Sequence, residues 1–288
     1  VRKLALTVLF FLLSTATAFA DAAPGDTIVT YGQNLSSAQK QQIKGRFNPP
    51  KEAQEITVTN AEEHKYLDGL LPKNVIGTRA ISSTMIQLAE AGQGIKVETN
   101  NITGISKAMY ENALATAGVK DANVKVDAPF PVSGTAGLTG VMKAYEQVTG
   151  KKIDENQKKV ASEEMVTTSK IAEQIGDKEK AAELLTRLKA EMAKQTGKMT
   201  DDQLRQMISN VAAQMGLTLS DQEIDSLVSI LRKIQNLNID WSKTLDQISS
   251  YKGQMQDFLN SNPEAKSFVQ EILQFLKQLI DKMLGWFA

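Results

Sequence analysis

The chain has 288 residues, of which 42% are hydrophobic and 23% charged; that is room for about two domains at roughly 100–200 residues each, and too apolar for a disordered chain. Lys+Arg and Asp+Glu are 33 each, so no global field favours nucleic acid or a polybasic membrane contact. There is no cysteine and one histidine, His64, which excludes thiol nucleophiles, disulfide frameworks, Cys-ligated zinc and any site needing two imidazoles.

Arg2 and Lys3 precede the largely apolar stretch Leu4–Leu13, and Ala18-Phe19-Ala20 closes the segment with small residues. That order predicts a signal peptide over 1–20, cleavage after Ala20 and a mature start at Asp21. The apolar stretch is about half of the roughly 20 residues needed to span a bilayer, and no second long run follows, so the mature chain is expected to lack a transmembrane segment. The expected location is extracytoplasmic, in the cell envelope.

Six of the seven prolines and 13 of the 18 glycines lie before residue 151. Since Gly and Pro mark turns and strand ends, the chain divides into an α+β domain over 21–150 and a helical domain over 151–288. In the first part, Ile56–Val58, Ile95–Val97 and Val124–Val126 alternate apolar with polar residues, the period of a half-buried strand. Thr27–Tyr31 and Thr78–Leu88 read as further strands, the second joined through Ala91–Gly94 to the Ile95 strand as a hairpin. Helices are expected at Ser36–Arg46, Ala61–Leu70, Ile105–Ala117 and Ala136–Val148, packed on one face of a mixed sheet.

After Gly150 the stretch Lys151–Ile175 is polar and weakly striped, which suggests a helical connector. Stripes of a core-facing helix follow at Leu184–Met192, Leu204–Met215 and Ile224–Ile234, two of them opened by the capping-box spacings Thr200…Gln203 and Ser220…Glu223. Trp241–Leu259 forms another stripe, and Asn262-Pro263 opens the last helix. From Phe268 to Phe287 apolar and polar residues segregate to opposite sides. Lys277 and Lys282 there stand against Glu271 and Asp281, without the basic excess of an interfacial helix, so the segment is expected to dock on protein, with a peripheral membrane or partner contact as the rival.

Several strings carry a family resemblance: Tyr66–Gly69 (YLDG), Ile76–Ser83 (IGTRAISS), Gly94–Thr103 (GIKVETNNIT), Ala128–Gly140 (APFPVSGTAGLTG) and Ala144–Glu146. Together they resemble the YpuA-like secreted proteins of Gram-positive bacteria, a family carried as a domain of unknown function. The resemblance implies export to the envelope and brings no substrate and no catalytic residue.

Val132–Gly140 lies between a strand and a helix, where free amides and the helix dipole bind anions. Ser133, Gly134 and Thr135 are its candidate ligand groups, but the Lys-Ser/Thr ending of a phosphate-binding P-loop is missing and the glycines are spaced by three, so the simpler expectation is a capped helix start with small residues for close packing. Arg79 is a lone cation among hydroxyls; with Thr99 and Asn101 it would line a polar sheet face if the hairpin pairs as expected. Ser37–Lys40 fits S-x-x-K, but no Ser-Asp-Asn or Lys-Thr-Gly accompanies it, which leaves Ser36 or Ser37 as a helix cap. His64 beside Glu62 and Glu63, and the pair Glu163-Glu164, diverge around their helices too far to act together. Asn101–Thr103 matches a glycosylation sequon, which has no meaning in a bacterial chain.

No catalytic residue, metal site or cofactor is therefore assigned. The leading expectation is a secreted, non-enzymatic envelope protein that binds or assembles with an envelope protein or cell-wall component. Its rivals are an extracytoplasmic enzyme acting on wall polymer or peptide through carboxylates or hydroxyls, and a small-anion sensor using the Ser133 loop.

Overall fold

A computed structural model describes residues 22–248 except 196 and 238. The Leu4–Ala20 segment, the Phe268–Phe287 helix and the end of the Trp241–Leu259 stripe lie outside the described residues. Five strands form one mixed sheet: β1 (Thr27–Gly32), β2 (Gln54–Val58), β3 (Ser83–Leu88), β4 (Ile95–Ile102) and β5 (Ala122–Val132). Their order is β2-β1-β3-β5-β4. β1 and β2 run parallel, as do β4 and β5, and β3 is antiparallel to both its neighbours, β1 and β5.

The two parallel pairs are crossover units. Helix α1 (Ser37–Phe47) links β1 to β2, and α4 (Lys107–Thr116) links β4 to β5; a parallel pair cannot be closed by a tight turn. The expected β3–β4 hairpin is thereby corrected. β5 lies between those strands, and β4 pairs in parallel with it from Ile95↔Ala122 onward. Alternation fixed which face of β4 is buried but not which strand lies beside it. The strand expected over Thr78–Leu88 is regular only from Ser83; Ala80 and Ile81 are buried just before it, where Ala80 N–H donates to Asn34 Oδ1 (2.9 Å).

Both faces of the sheet are used. Ile28, Ile86, Val97, Val124 and Val126 join the large core formed with α4 and α5 (Gly137–Thr149), while Val29, Tyr31 and Met85, one residue out of phase, pack with Ile43 and Phe47 of α1. The α+β class with a mixed sheet thus stands, and α1 covers part of the second face. Short helices α2 (Asn60–Leu67) and α3 (Lys73–Ile76) follow β2.

The remaining helices are α6 (Glu155–Ile175), α7 (Lys178–Ala193), α8 (Asp201–Gln214), α9 (Asp221–Gln235) and α10 (Trp241–Leu245). Both expected capping boxes form, at Thr200 and Ser220, and two more occur at Ser36 and Thr59. The Lys151–Ile175 stretch is not a connector. Its helix α6 buries Val160, Ala161, Met165, Ile171 and Ala172 against the rest of the core. Its stripe was hidden because Lys158, Ser162, Glu164 and Thr168 are buried with them. Gly150 closes α5 with a left-handed C-cap (φ 66), yet one apolar cluster continues from Ile28 and Val124 in the sheet to Leu188, Leu204 and Leu231 in the helices.

Candidate functional site

The Ser133 loop is built by close approach. Gly134 takes φ +95, a conformation that favours glycine, and its carbonyl accepts the Tyr110 hydroxyl and the Gly137 N–H (3.0 Å). Ser133 O accepts from Gly104 N–H (3.0 Å), which ties the loop to the end of β4. Ser133 itself is exposed, Thr135 is buried, and Ala136 occupies the N-cap of α5 without any side-chain cap. A Cβ on Gly134 would intrude on Ile102 Cγ2 and reach 3.0 Å from Tyr110 Oη. Gly134→Ala should therefore lose about 2–4 kcal/mol in urea unfolding, from the strained φ plus overpacking; a change below about 0.5 kcal/mol, the range of a neutral surface substitution, would mean that the loop yields freely.

Arg79 is held elsewhere. It lies outside the strands and donates through Nη2 to Asn34 O (3.2 Å). Thr99 and Asn101 belong to β4, across β5 from β3, so the polar face expected from the hairpin is not assembled. Asn101 instead sits at a bulge (φ 57) and donates to Ala128 O (2.7 Å).

Ser36, not Ser37, caps α1, and Lys40 pairs with Glu55 (2.8 Å) while lying over the Tyr31 ring. His64 links α2 to the loop after α3 through Nδ1 to Asp68 Oδ1 (2.7 Å) and Nε2 to Gly77 O (2.9 Å). The Asp68 carboxylate, then the Gly77 carbonyl, hold its pKa above the usual imidazole value.

Glu63, its neighbour, is buried; Oε2 accepts from Asn60 Nδ2 (3.2 Å) and Oε1 has no partner. Burial pushes its carboxyl from 4.5 up to about 7. A carboxyl that holds its proton more tightly when folded contributes stability that is complete below about pH 4.5 and lost as the pH rises past about 7. Glu63→Gln should thus be more stable than the parent at pH 8, by at most about 3 kcal/mol, and should show no gain at pH 4.5. Thermal melts across that range check it, and an equal effect at both ends would refute it.

An open groove lies in the helical part. Met192, Gln195, Met199, Gln235, Leu237 and Trp241 line about 400 Å³ between the ends of α7 and α9 and the start of α10. A second hollow of about 330 Å³ between α7 and α8 shares Gln195 and Met199 and extends along Gln206, Met207 and Gln214. Gln235 holds the intervening loop by a reciprocal pair of hydrogen bonds with the Met199 main chain, both 3.0 Å. Methionines supply adaptable apolar contact and the amides supply hydrogen bonds. The stripes of α7, α8 and α9 were legible one by one, but their mutual placement has no local signal in the sequence.

Among the described residues no group of His, Asp and Glu is arranged to hold a metal, and no helix is long and apolar enough to cross a membrane. A sheet built with two crossover units and joined, among the described residues, to the helices α6–α10 defines an α+β protein, and the chain belongs to the family described as "Protein of unknown function (DUF1002)", whose model matches residues 31–251. It is 43% identical over 287 residues to "Uncharacterized protein YpuA" of Bacillus subtilis (strain 168), covering 100% of this chain and 98% of that relative. The YpuA-like resemblance is thereby established. No solved structure matches.

Proposed function

We propose that this protein works outside the cytoplasm as a non-enzymatic binding or assembly protein of the cell envelope, and that the groove of α7–α10 receives an amphipathic segment of an envelope partner. The observation that carries the reading is the lining itself. Met192, Met199 and Met207 alternate with Gln195, Gln206 and Gln235 along two adjoining hollows, which suits the apolar face of a helix laid into a groove. Export is supported by the order of Arg2, the Leu4–Leu13 stretch and Ala18-Phe19-Ala20.

The chain is free of cysteine, so one introduced thiol can be labelled without background. A photo-crosslinker at Gln206→Cys should capture one discrete envelope protein in intact cells, and the same label at Lys51→Cys, on the β2 side of the sheet, should not. Identical products at both positions, or none at Gln206→Cys, would refute the groove. Fractionation of the same cells tests location, and protein retained in the cytosol with residues 1–20 intact would refute export.

A second reading, a small-anion site at Ser133–Thr135, is favoured by the uncapped start of α5. Phosphate titration followed by amide chemical shifts separates the two, because only that reading moves Thr135 to Thr139.

A further inference from the structure

Lys189 of α7 and Glu164 of α6 are both fully buried, and their side chains meet beside α4. Lys189 Nζ donates to Glu164 Oε1, to Thr116 Oγ1 (2.9 Å), to Asn112 O (3.1 Å) and, at the limit of reach, to Asn112 Oδ1 (3.4 Å). Thr116 Oγ1 donates in turn to Glu164 Oε2 (2.5 Å). The Asn112 carboxamide is clamped: Nδ2 donates to Ala108 O (3.1 Å), Ala182 O (3.2 Å) and Thr186 Oγ1 (2.8 Å), while Oδ1 faces the Thr186 hydroxyl at 3.1 Å. The Trp241 ring stands 5.7 Å from Nζ.

An amine, a fixed carboxamide and a carboxyl group buried together in the core are the parts of an acyl transfer. We propose that Lys189 and Asn112 join in an isopeptide bond that the protein forms on itself, with Glu164 moving the protons. Nζ first gives a proton to the Glu164 carboxylate and becomes a neutral amine. Its lone pair attacks Asn112 Cγ, and the C=O electron pair moves onto Oδ1, where the Thr186 hydroxyl, turned from Ala182 O (3.0 Å) to Oδ1 (3.1 Å), stabilises the developing charge. As the carbonyl re-forms, the Cγ–Nδ2 bond breaks. Nδ2 leaves with its two hydrogens plus the proton returned from Glu164, and the amine's remaining excess proton goes back to that carboxylate. One C–N bond forms, one breaks, and ammonia is released, with no oxidant and no co-reactant.

Distance and environment support the step. With a C=O bond of about 1.23 Å, Cγ lies at most about 4.6 Å from Nζ, so a small turn of the lysine stem reaches the roughly 3–3.5 Å of an attacking pair. Burial pulls the Lys189 ammonium down and pushes the Glu164 carboxyl up, which favours the neutral amine that attack requires. The bond would tie α4 to α7 across Gly150.

Intact-mass spectrometry of the purified 21–288 chain tests the proposal. The expected mass is about 17 Da below that of the sequence, the loss of one ammonia. Trypsin should then leave a branched peptide joining 108–120 to 188–194, uncut after Lys189. Lys189→Met and Asn112→Ala should each restore the sequence mass, whether or not they remain as stable as the parent, and Glu164→Gln should leave most of the chain unjoined. A parent chain at full sequence mass overturns the proposal. So does a 17 Da loss without the branched peptide, which would be cyclisation of Asn112 alone, and complete joining in Glu164→Gln removes that residue's part in it.

Discussion

Expressed separately, residues 22–150 and 151–288 should each fail to fold, and mixing them should restore a cooperative structure. Composition places a boundary at Gly150, because turn-forming residues thin out beyond it. The packing runs the other way. α4 belongs to the sheet half, yet Asn112 reaches Thr186 Oγ1 (2.8 Å) and Ala182 O (3.2 Å) of α7, and Thr116 reaches Glu164 of α6 (2.5 Å). Farther along, the chain returns to the sheet edge: Ile248 bridges Ile95, Ile95 N–H donates to Gln247 O (2.6 Å), and Asp121 N–H donates to Gln247 Oε1 (2.8 Å). A cut at Gly150 therefore leaves α4 without its cover on the α6 and α7 side and the Ile95 N–H without its acceptor, and it opens a single apolar cluster to water. Exposing even two or three such side chains costs about 1.5–3 kcal/mol each, against a total stability of about 5–15 kcal/mol. Circular dichroism and amide spectra of each fragment alone and of the mixture check this. Two independent cooperative melts would instead make the halves separable domains.

The elements with simple periods were legible. Ile95 and Val97 alternate with Lys96 and Glu98, and β4 buries the first pair and exposes the second; Thr200…Gln203 and Ser220…Glu223 each close a capping box. Neighbour relations were not, because a strand's alternation is the same whether its partner is β3 or β5. α6 was misread for a different reason. Glu164 and Lys158 fall on its inward face, and a polar residue at a core position erases the stripe that marks a helix as buried. Glu164 is satisfied by Lys189, 25 residues on, and by Thr116, 48 residues back, so nothing near it in the sequence announces the pair. The Ser133 loop was placed correctly between a strand and a helix, but the Tyr110 hydroxyl that occupies the Gly134 carbonyl comes from α4 and was invisible there. The groove is a product of four helices and a loop, each ordinary by itself.

Asp127→Ala should be the most damaging single substitution on the sheet side, at about 3–5 kcal/mol, because it strands one charge and releases two elements from β5. Asp127 stands at the last paired position of β5 with β3, opposite Ser83. Its carboxylate accepts Arg46 Nε (2.6 Å) and Nη2 (2.9 Å) from α1, and Asn100 Nδ2 (2.9 Å) from β4, while the same Nη2 reaches Ala128 O (3.0 Å). The Asp127 side chain is 3% exposed and that of Arg46 30%, so the two-pronged contact is mostly shielded from water and from salt. Removal of the carboxylate leaves the guanidinium facing a hole and frees both α1 and the β4 bulge. Asp127→Asn keeps the volume and an acceptor oxygen but cannot receive both Arg46 N–H groups as an anion, so it should fall between the parent and the alanine variant. The Lys44–Glu55 pair (2.7 Å), with side chains 50% and 30% exposed, provides the contrast; Glu55→Gln should cost no more than about 1 kcal/mol and should lose even that in high salt. Urea unfolding at low and high ionic strength measures both. An Asp127→Ala loss no larger than that of Glu55→Gln, or one that disappears at 1 M salt where screening reaches about 3 Å, would show that the Arg46 contact is a surface pair and that α1 is held to the sheet by Ile43 and Phe47 alone.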